Sequence, residues 1–161
     1  MVTKTLGLNH RTAPVDVRER VSFSREELRS GLMNLGEYDG LSGLVVLSTC
    51  NRTELYASVD ESAAGAQALR QFLNDLAQGG DDLDEYLYTY TDDEAIRHLF
   101  RVASSLDSLV LGEGQILSQV KEAYAIAREA GATSTVLNLL FHRAIATGKR
   151  VRTETRSSSC F

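Results

Sequence analysis

Cysteine and proline are scarce in this sequence. Its 161 residues include two cysteines, Cys50 and Cys160, and one proline, Pro14. Two cysteines so far apart form neither a disulfide framework nor a set of metal ligands, so we expect a reducing environment and no metal ion. No apolar run is long enough for a signal peptide or a membrane span. We therefore expect a cytoplasmic protein that is not attached to a membrane.

Positive charge is also in deficit. The chain has 17 lysines and arginines against 22 aspartates and glutamates, which gives a formal net charge of −5. This balance argues against indiscriminate binding to phosphate backbones. A local basic group nevertheless occupies the C-terminal part of the chain, where acids are few: Lys121, Arg128, Arg143, Lys149, Arg150, Arg152 and Arg156. The group forms either a solvated helix face or a contact surface for RNA, and the charge pattern leaves both open.

Hydrophobic periodicity predicts both strands and helices. Strands are predicted over residues 4–10, 44–47, 53–59 and 86–90, and helices from Ser24 onwards and over 63–77. The run Leu44–Leu47 is continuously apolar, as expected for a strand buried on both faces, whereas residues 53–59 alternate like a half-buried strand. Ser24 and Glu27 fit a capping box, which marks the start of a helix.

The order of these elements predicts an α+β fold. Through about residue 91 it is strand, helix, strand, strand, helix, strand, which is the split β-α-β arrangement of ferredoxin-like domains, with an antiparallel sheet and both helices on one face. A second capping box, Thr91–Glu94, opens a part that is helical over about 92–155. No linker separates the two parts, so we expect one domain over residues 1–155, with the helical part packed on the sheet. Residues 156–161 lose the periodicity and are expected to form a disordered tail.

Cys50 is the candidate nucleophile. A lone cysteine is more often a buried structural residue, but Cys50 follows a buried strand, where a bend can present its sulfur at the rim of the sheet. Its neighbours Thr49, Asn51 and Arg52 are polar donors. A cation two residues away favours the thiolate, which is the attacking form. We therefore predict an activated thiol at Cys50.

Three histidines are available to assist this thiol. His98 lies one helical turn after Glu94 and borders the apolar side of its helix, so it is either a structural residue or the group that assists Cys50. His10 ends the first predicted strand, near the same rim. His142 lies among basic residues and meets either phosphate or solvent.

The segment 107–116 is the other unusual feature. Gly112 and Gly114 interrupt an apolar run and flank Glu113, and Gln115 follows at the start of a helix. The segment is either a turn between two helices or a substrate loop. In a substrate loop, its carboxylate and amide could recognise an ammonium group and a carboxyl or ribose group.

Long motifs in a fixed order place the chain near a known family. The segments Gly7–Pro14, Leu47–Tyr56 and Ser105–Ile116, with Lys149–Thr155 as a fourth, closely resemble glutamyl-tRNA reductase, and the resemblance covers about residues 4–155. It implies an oxidoreductase that uses glutamyl-tRNA and NADPH to make glutamate-1-semialdehyde for tetrapyrrole, porphyrin and haem synthesis. In the implied reaction Cys50 attacks the ester that joins glutamate to tRNA, and hydride from NADPH reduces the resulting thioester.

The resemblance also implies roles for particular residues. Thr49, Cys50, Asn51 and Arg52 would form the nucleophile loop around the glutamyl group, with Arg52 binding its side-chain carboxylate. The residues that would complete the substrate pocket are Ser108, Glu113, Gly114, Gln115 and Gln119. His98 matches a histidine that is important for activity in the family, either as an orienting group or as a proton donor.

Two features depart from the family pattern. Gly114 stands where relatives often carry proline, and no strand is followed by the Gly-x-Gly-x-x-Gly turn of a nucleotide-binding domain. We therefore expect a catalytic domain that stops before the NADPH domain and before the C-terminal domain through which the whole enzyme would form a homodimer. Such a piece would form the thioester and lose it slowly to water. The alternative is a non-catalytic module that binds tRNA or a partner protein.

Overall fold

The secondary structure consists of four strands and six helices in the described part of the chain. The computed structural model describes residues 1–60, 63–79, 81–106 and 115–159. The strands are β1 (Val2–Asn9), β2 (Leu41–Ser48), β3 (Arg52–Val59) and β4 (Tyr88–Thr91). The helices are α1 (Val15–Arg20), α2 (Arg25–Met33), α3 (Ala63–Leu76), α4 (Asp93–Ala103), α5 (Ile116–Glu129) and α6 (Thr135–Ser159). Short 3-10 helices, Leu35–Glu37 and Asp81–Tyr86, precede β2 and β4.

The four strands form one sheet in the order β2-β3-β1-β4. Each neighbouring pair is antiparallel, so β1 and β2 run in the same direction with β3 between them. This is the split β-α-β arrangement, and the predicted α+β, ferredoxin-like fold is confirmed. The register places Gly7 opposite Glu54 on β3 and opposite Tyr88 on β4, an alignment on which the candidate site depends.

Helices cover both faces of the sheet. Successive side chains of a strand point to opposite faces. On one face of β3, the Thr53 hydroxyl donates to the Val21 carbonyl at 2.8 Å, just after α1, and α3 packs on this same face. On the other face, the rings of Tyr56 and Phe141 meet edge to face with centroids 5.7 Å apart. Because Phe141 belongs to α6, the helical part packs on the face opposite α3.

The helix α5 covers the outer edge of the sheet. The Leu44 N–H of β2 donates to the Ala132 carbonyl at 2.8 Å, just after α5 ends. Arg25 of α2 forms ion pairs with Glu122 and Glu129 of α5, the latter at 2.8 Å. An open strand edge is a template for pairing with other chains, and α5 protects this one while it connects the two layers.

The burial of β3 differs from the sequence-based expectation. All eight of its residues are buried, including Glu54 and Ser58 on the face predicted to meet solvent. The prediction of a half-buried strand was wrong because α4 and α6 cover that face. The polar side chains are paired there: Ser58 shares a hydrogen bond of 2.9 Å with Ser134, and Glu54 bonds to His98.

The capping box at the start of α2 is confirmed. Ser24 Oγ accepts the Glu27 N–H, and Glu27 Oε1 accepts the Ser24 N–H, both at 3.1 Å. We predict that Ser24→Ala lowers the free energy of unfolding by about 1 kcal/mol, because an N–H group of the first turn loses its acceptor. Urea unfolding followed by circular dichroism measures the change. Ser30→Ala, at an exposed position of the same helix, is the control, and an equal loss in both variants would contradict the prediction.

The second predicted capping box does not form. Asp92 occupies the N-cap position of α4 with φ of 50° and ψ of −117°, and its side chain makes no cap bond. Its Oδ1 instead accepts the Thr3 N–H at 3.1 Å, and its own N–H donates to the Thr3 carbonyl at 2.7 Å. These bonds extend the pairing of β1 with β4 by one residue. Thr91, the predicted N-cap, is the last residue of β4 and pairs with Lys4, so the helix starts one residue later than predicted.

The last helix continues beyond the amphipathic pattern. Its backbone is helical to Ser159, whereas we expected a disordered tail from Arg156. Extending an existing helix costs far less than starting one, so the loss of apolar periodicity does not by itself end it. Cys160 lies outside the described residues. Over the ranges that the structure describes, no helix combines the length and the apolar character needed to cross a membrane.

Candidate active site

Cys50 lies at the tip of the β2–β3 hairpin. The Thr49 N–H donates to the Arg52 carbonyl at 2.8 Å and closes a two-residue loop, Cys50-Asn51. The Thr49 hydroxyl oxygen accepts the N–H groups of Asn51 and Arg52, both at 3.2 Å. Cys50 carries an exposed free thiol. The tight turn thus presents this thiol at the end of the sheet and outside the core.

Two neighbouring segments fix the backbone of this loop. The His10 N–H, just after β1, donates to the Asn51 carbonyl at 3.0 Å. The Arg18 Nη1 of α1 donates to the Cys50 carbonyl at 3.2 Å. Both hydrogen bonds are accepted by carbonyl groups of the loop, so they hold its backbone in place without engaging the Cys50 side chain.

A buried carboxylate lies on β3, next to the hairpin. Glu54 is 0% exposed, and four side chains approach its two oxygens. Oε1 accepts the Tyr56 hydroxyl at 2.7 Å and lies 3.5 Å from Arg52 Nη1. Oε2 accepts the Tyr88 hydroxyl at 2.5 Å and also bonds to His98 Nε2. Each oxygen has two partners, and the partners come from β3, β4 and α4.

The environment keeps this carboxylate charged. Burial alone would raise the pKa of Glu54, but the hydrogen bond and charge of His98, the charge of Arg52 and the Tyr88 hydrogen bond together hold it below its ordinary value of 4.5. Burial and the same carboxylate raise the pKa of Tyr56 and of Tyr88 well above the ordinary value of 10.0. Both phenols therefore remain protonated and serve as donors.

Gly7 makes the space that Glu54 occupies. A Cβ at this position would lie 2.8 Å from Glu54 Cγ and 2.8 Å from the Thr53 carbonyl oxygen, closer than a Cβ approaches non-bonded atoms in folded proteins. Glu54 is the cross-strand neighbour of Gly7, and Tyr88 lies on the other side of it. With no side chain on β1 in between, the carboxylate reaches the groups of β4 and α4.

His98 is enclosed by aromatic rings as well as by the carboxylate. Its ring centroid lies 4.7 Å from that of Tyr90 and 5.9 Å from that of Tyr88, and the residue is 8% exposed. Its hydrogen bond goes to Glu54 and not to Glu94, which is exposed one turn earlier on α4. A carboxylate from another element thus orients this histidine.

The structure brings Arg52 and His98 together on one carboxylate and leaves Cys50 at the adjacent tip. Gln115 is exposed just before α5, and Gln119 is half-buried on that helix. The remaining predicted pocket residues, Ser108, Glu113 and Gly114, lie outside the described residues. His142 is exposed on α6.

The β2–β3 hairpin lies toward the start of α5 and the end of α4. The C-terminal end of α5 lies over the start of β2, as the bond between Leu44 and Ala132 shows, so α5 begins toward the hairpin. The helix α4 runs the opposite way, because it starts beside Thr3 and reaches Glu54 at His98. The start of α5, with Gln115 just before it and Gln119 in its first turn, therefore lies at the same end of the molecule as Cys50.

Sequence reasoning missed Gly7, Glu54 and Tyr88 as parts of the site. A glutamate at a polar position of a strand predicted to be half-buried indicates solvent exposure, so its position gave no signal of burial. The glycine and the tyrosine gain their importance only from the strand register. The strand order of the ferredoxin-like arrangement could have been used to predict that Gly7 lies between Glu54 and Tyr88.

Comparisons with known proteins agree with this fold and these motifs. The sequence profile of the family described as Glutamyl-tRNAGlu reductase, N-terminal domain, matches residues 6–155. The glutamyl-tRNA reductase of Moorella thermoacetica is 53% identical over 97% of this chain and 36% of its own length. That of Pelotomaculum thermopropionicum is 51% identical over 96% of this chain and 35% of its own length.

A solved structure gives the same result. Glutamyl-tRNA reductase from Methanopyrus kandleri superimposes with a TM-score of 0.73 at 40% identity, over 94% of this chain and 34% of that chain. This chain thus spans about a third of the length of the relatives that it matches. It belongs to the glutamyl-tRNA reductase family and corresponds to the N-terminal domain of that family.

Proposed function

We propose that this chain performs the acyl-transfer step of the glutamyl-tRNA reductase reaction. The Cys50 thiolate attacks the carbonyl carbon of the ester that joins glutamate to the tRNA ribose. The carbon–oxygen bond breaks, the ribose oxygen takes a proton, and tRNA leaves while glutamate remains on Sγ as a thioester. The observation that carries the proposal is an exposed free thiol on a two-residue hairpin beside a buried cluster of charged side chains.

The proposal gives the surrounding residues distinct tasks. The Arg52 guanidinium binds the side-chain carboxylate of the glutamyl group, while Thr49 and Asn51 shape the loop around it. His98 orients the reacting groups or supplies the proton that the departing ribose oxygen takes. The other members of the proposed substrate pocket are Ser108, Glu113, Gly114, Gln115 and Gln119.

The exposed face of α6 supports tRNA as the substrate. Arg143, Lys149, Arg150 and Arg152 are exposed there, and no acidic residue occurs between Thr135 and Thr153. Phosphate contacts by lysine and arginine supply most of the affinity of proteins for nucleic acids. The same face is the feature that favours the second candidate function, a module that binds tRNA without reacting with it.

We do not assign reduction of the thioester to this chain. In the described residues every neighbouring pair of strands is antiparallel, so they lack the parallel β-α-β turn on which dinucleotide folds hold a pyrophosphate. Nor do the described residues place three His, Cys, Asp or Glu side chains close enough to hold a metal ion. We assign NADPH-dependent formation of glutamate-1-semialdehyde, for tetrapyrrole synthesis, and dimerisation to the longer proteins of the family. Alone, this chain would release the acyl group to water as glutamate.

Transfer of labelled glutamate to the protein tests the proposal. We expect tRNA charged with radioactive glutamate to label the wild-type chain, and hydroxylamine to release the label as it does from thioesters. Cys50→Ala should reduce labelling to background, because it removes the nucleophile. The variant should still fold, since the exposed side chain makes no packing contribution. Cys160→Ala, which removes the other cysteine, should label like the wild type.

Two outcomes would contradict the proposal. Equal labelling of Cys50→Ala and the wild type would place the acyl group elsewhere. Binding of glutamyl-tRNA without labelling, together with alkylation of Cys50 by iodoacetamide at the rate and pH dependence of free cysteine, would favour the binding module.

A further inference from the structure

We propose that Glu54 is a positioning residue for the reaction at Cys50, and that it acts by orienting the Arg52 guanidinium and the His98 imidazole. The inference rests on the proposed acyl transfer. Glu54 is fully buried, so it acts through its two partners. Arg52 lies on β3, two residues after the nucleophile. His98 lies on α4, which contacts that strand at Glu54.

The construction of the cluster points to orientation and not to stability alone. A buried ion pair contributes little net stability compared with apolar side chains of similar volume. Here the sheet nevertheless omits the side chain of Gly7 to admit a carboxylate, and β3, β4 and α4 all supply donors to it. Both oxygens of Glu54 are engaged on two sides, which fixes the carboxylate plane and, with it, the directions of the groups that it holds.

For His98, the carboxylate selects which ring nitrogen carries a proton. A carboxylate accepts hydrogen bonds and donates none, so the Nε2 that faces Glu54 is protonated. The other nitrogen, Nδ1, is then the one at which His98 exchanges a proton or a hydrogen bond with a reacting group. Without the carboxylate, the proton can reside on either nitrogen and the ring loses its anchor.

For Arg52, the carboxylate anchors a guanidinium on the strand that carries the nucleophile hairpin. Arg52 is 3% exposed, and its Nη1 lies 3.5 Å from Glu54 Oε1. A planar guanidinium binds a second carboxylate well only when its plane is already set. The buried Glu54 carboxylate sets that plane within the folded domain, before any substrate binds.

A nuclear magnetic resonance measurement tests the orientation directly. The chain has three histidines, so long-range proton–nitrogen spectra can be assigned with His10→Gln and His142→Gln variants. In the wild-type chain we expect His98 to carry its proton on Nε2. In Glu54→Gln, whose amide can accept or donate, we expect a mixture of the two tautomers. A wild-type His98 protonated on Nδ1 alone would overturn the inference, and this result needs no Glu54 variant to fold.

The rate of Cys50 acylation tests the consequence for function. We expect Glu54→Gln to lower the rate constant at saturating glutamyl-tRNA by about 10- to 100-fold, the usual effect of removing a partner that orients a functional side chain. The half-saturating concentration should stay within about threefold, because phosphate contacts dominate tRNA affinity. Glu26→Gln, exposed on α2, is the matched control and should acylate like the wild type.

The outcomes separate this inference from the proposed function. If the wild-type chain takes no label, the proposed acyl transfer fails. If the wild type is labelled and folded Glu54→Gln is labelled equally fast, the acyl transfer stands and the positioning role is overturned. A slow Glu54→Gln with mixed His98 tautomers and an unchanged half-saturating concentration supports the positioning role.

Discussion

Gly7→Ala is expected to lower the free energy of unfolding by about 3 kcal/mol, a large part of the total for a domain of this size. The added Cβ would lie 2.8 Å from both Glu54 Cγ and the Thr53 carbonyl oxygen, and 3.1 Å from Glu54 Cα. Two of these atoms belong to the backbone of the paired strand, so rotation of a side chain cannot relieve the overlap. β1 and β3 therefore have to separate locally, and the Glu54 side chain has to shift from its partners as well.

Urea unfolding at neutral pH measures this loss. Gly36→Ala is the matched control, because its Cβ would meet nothing within 4 Å and its backbone needs no positive φ. We expect the control to change the free energy of unfolding by less than about 0.5 kcal/mol. A Gly7→Ala protein as stable as Gly36→Ala would show that the strands tolerate the side chain and that Glu54 does not depend on its absence.

Acid is expected to remove the stabilisation that ionised Glu54 provides. The pKa of its carboxyl group is held below the ordinary value of 4.5 by His98, Arg52 and Tyr88 against the effect of burial. A lowered pKa in the folded state means that the stabilisation is complete above pH 4.5 and is lost as the pH falls through the folded value. Protonation then leaves the charge of Arg52 buried without its counterion, beside the Tyr56 and Tyr88 hydroxyls.

The measurement is the difference in free energy of unfolding between the wild type and Glu54→Gln as a function of pH. Breaking a buried pair by removing one charge typically costs about 3 kcal/mol or more, so we expect a difference of this size at neutral pH. The difference should shrink as the pH is lowered below 4.5, because the folded-state pKa of Glu54 lies below that value. Glu26→Gln, whose carboxylate is exposed, should show no comparable change. A wild-type advantage that is independent of pH would mean that Glu54 is not ionised in the folded protein.

Local signals in the sequence predicted local structure well. The Ser24 capping box forms because both of its partners lie within four residues, and the strand order follows from the sequence of elements. The Thr91–Glu94 box failed because β1 competes for Thr91: this residue ends β4 and pairs with Lys4, so the helix starts one residue later. A pattern of four residues contains no information about such a competitor.

The candidate site was predictable only in part, for the same reason. Cys50 and its polar neighbours are consecutive in the sequence, and the hairpin that they form is also local. The Glu54 cluster is assembled from three elements, and its glutamate occupies a position that alternation assigns to solvent. Burial of that position follows from the later helices α4 and α6, which no property of the strand itself can reveal.

The central position of β3 in the sheet affects how much conformational entropy the site residues lose when a substrate binds. The strand is paired on both edges and covered on both faces, so its amide protons should exchange with water only when the whole domain opens. The hairpin tip and the buried carboxylate are built on the same rigid strand. The entropy needed to align them is therefore lost during folding, and a bound substrate does not have to supply it.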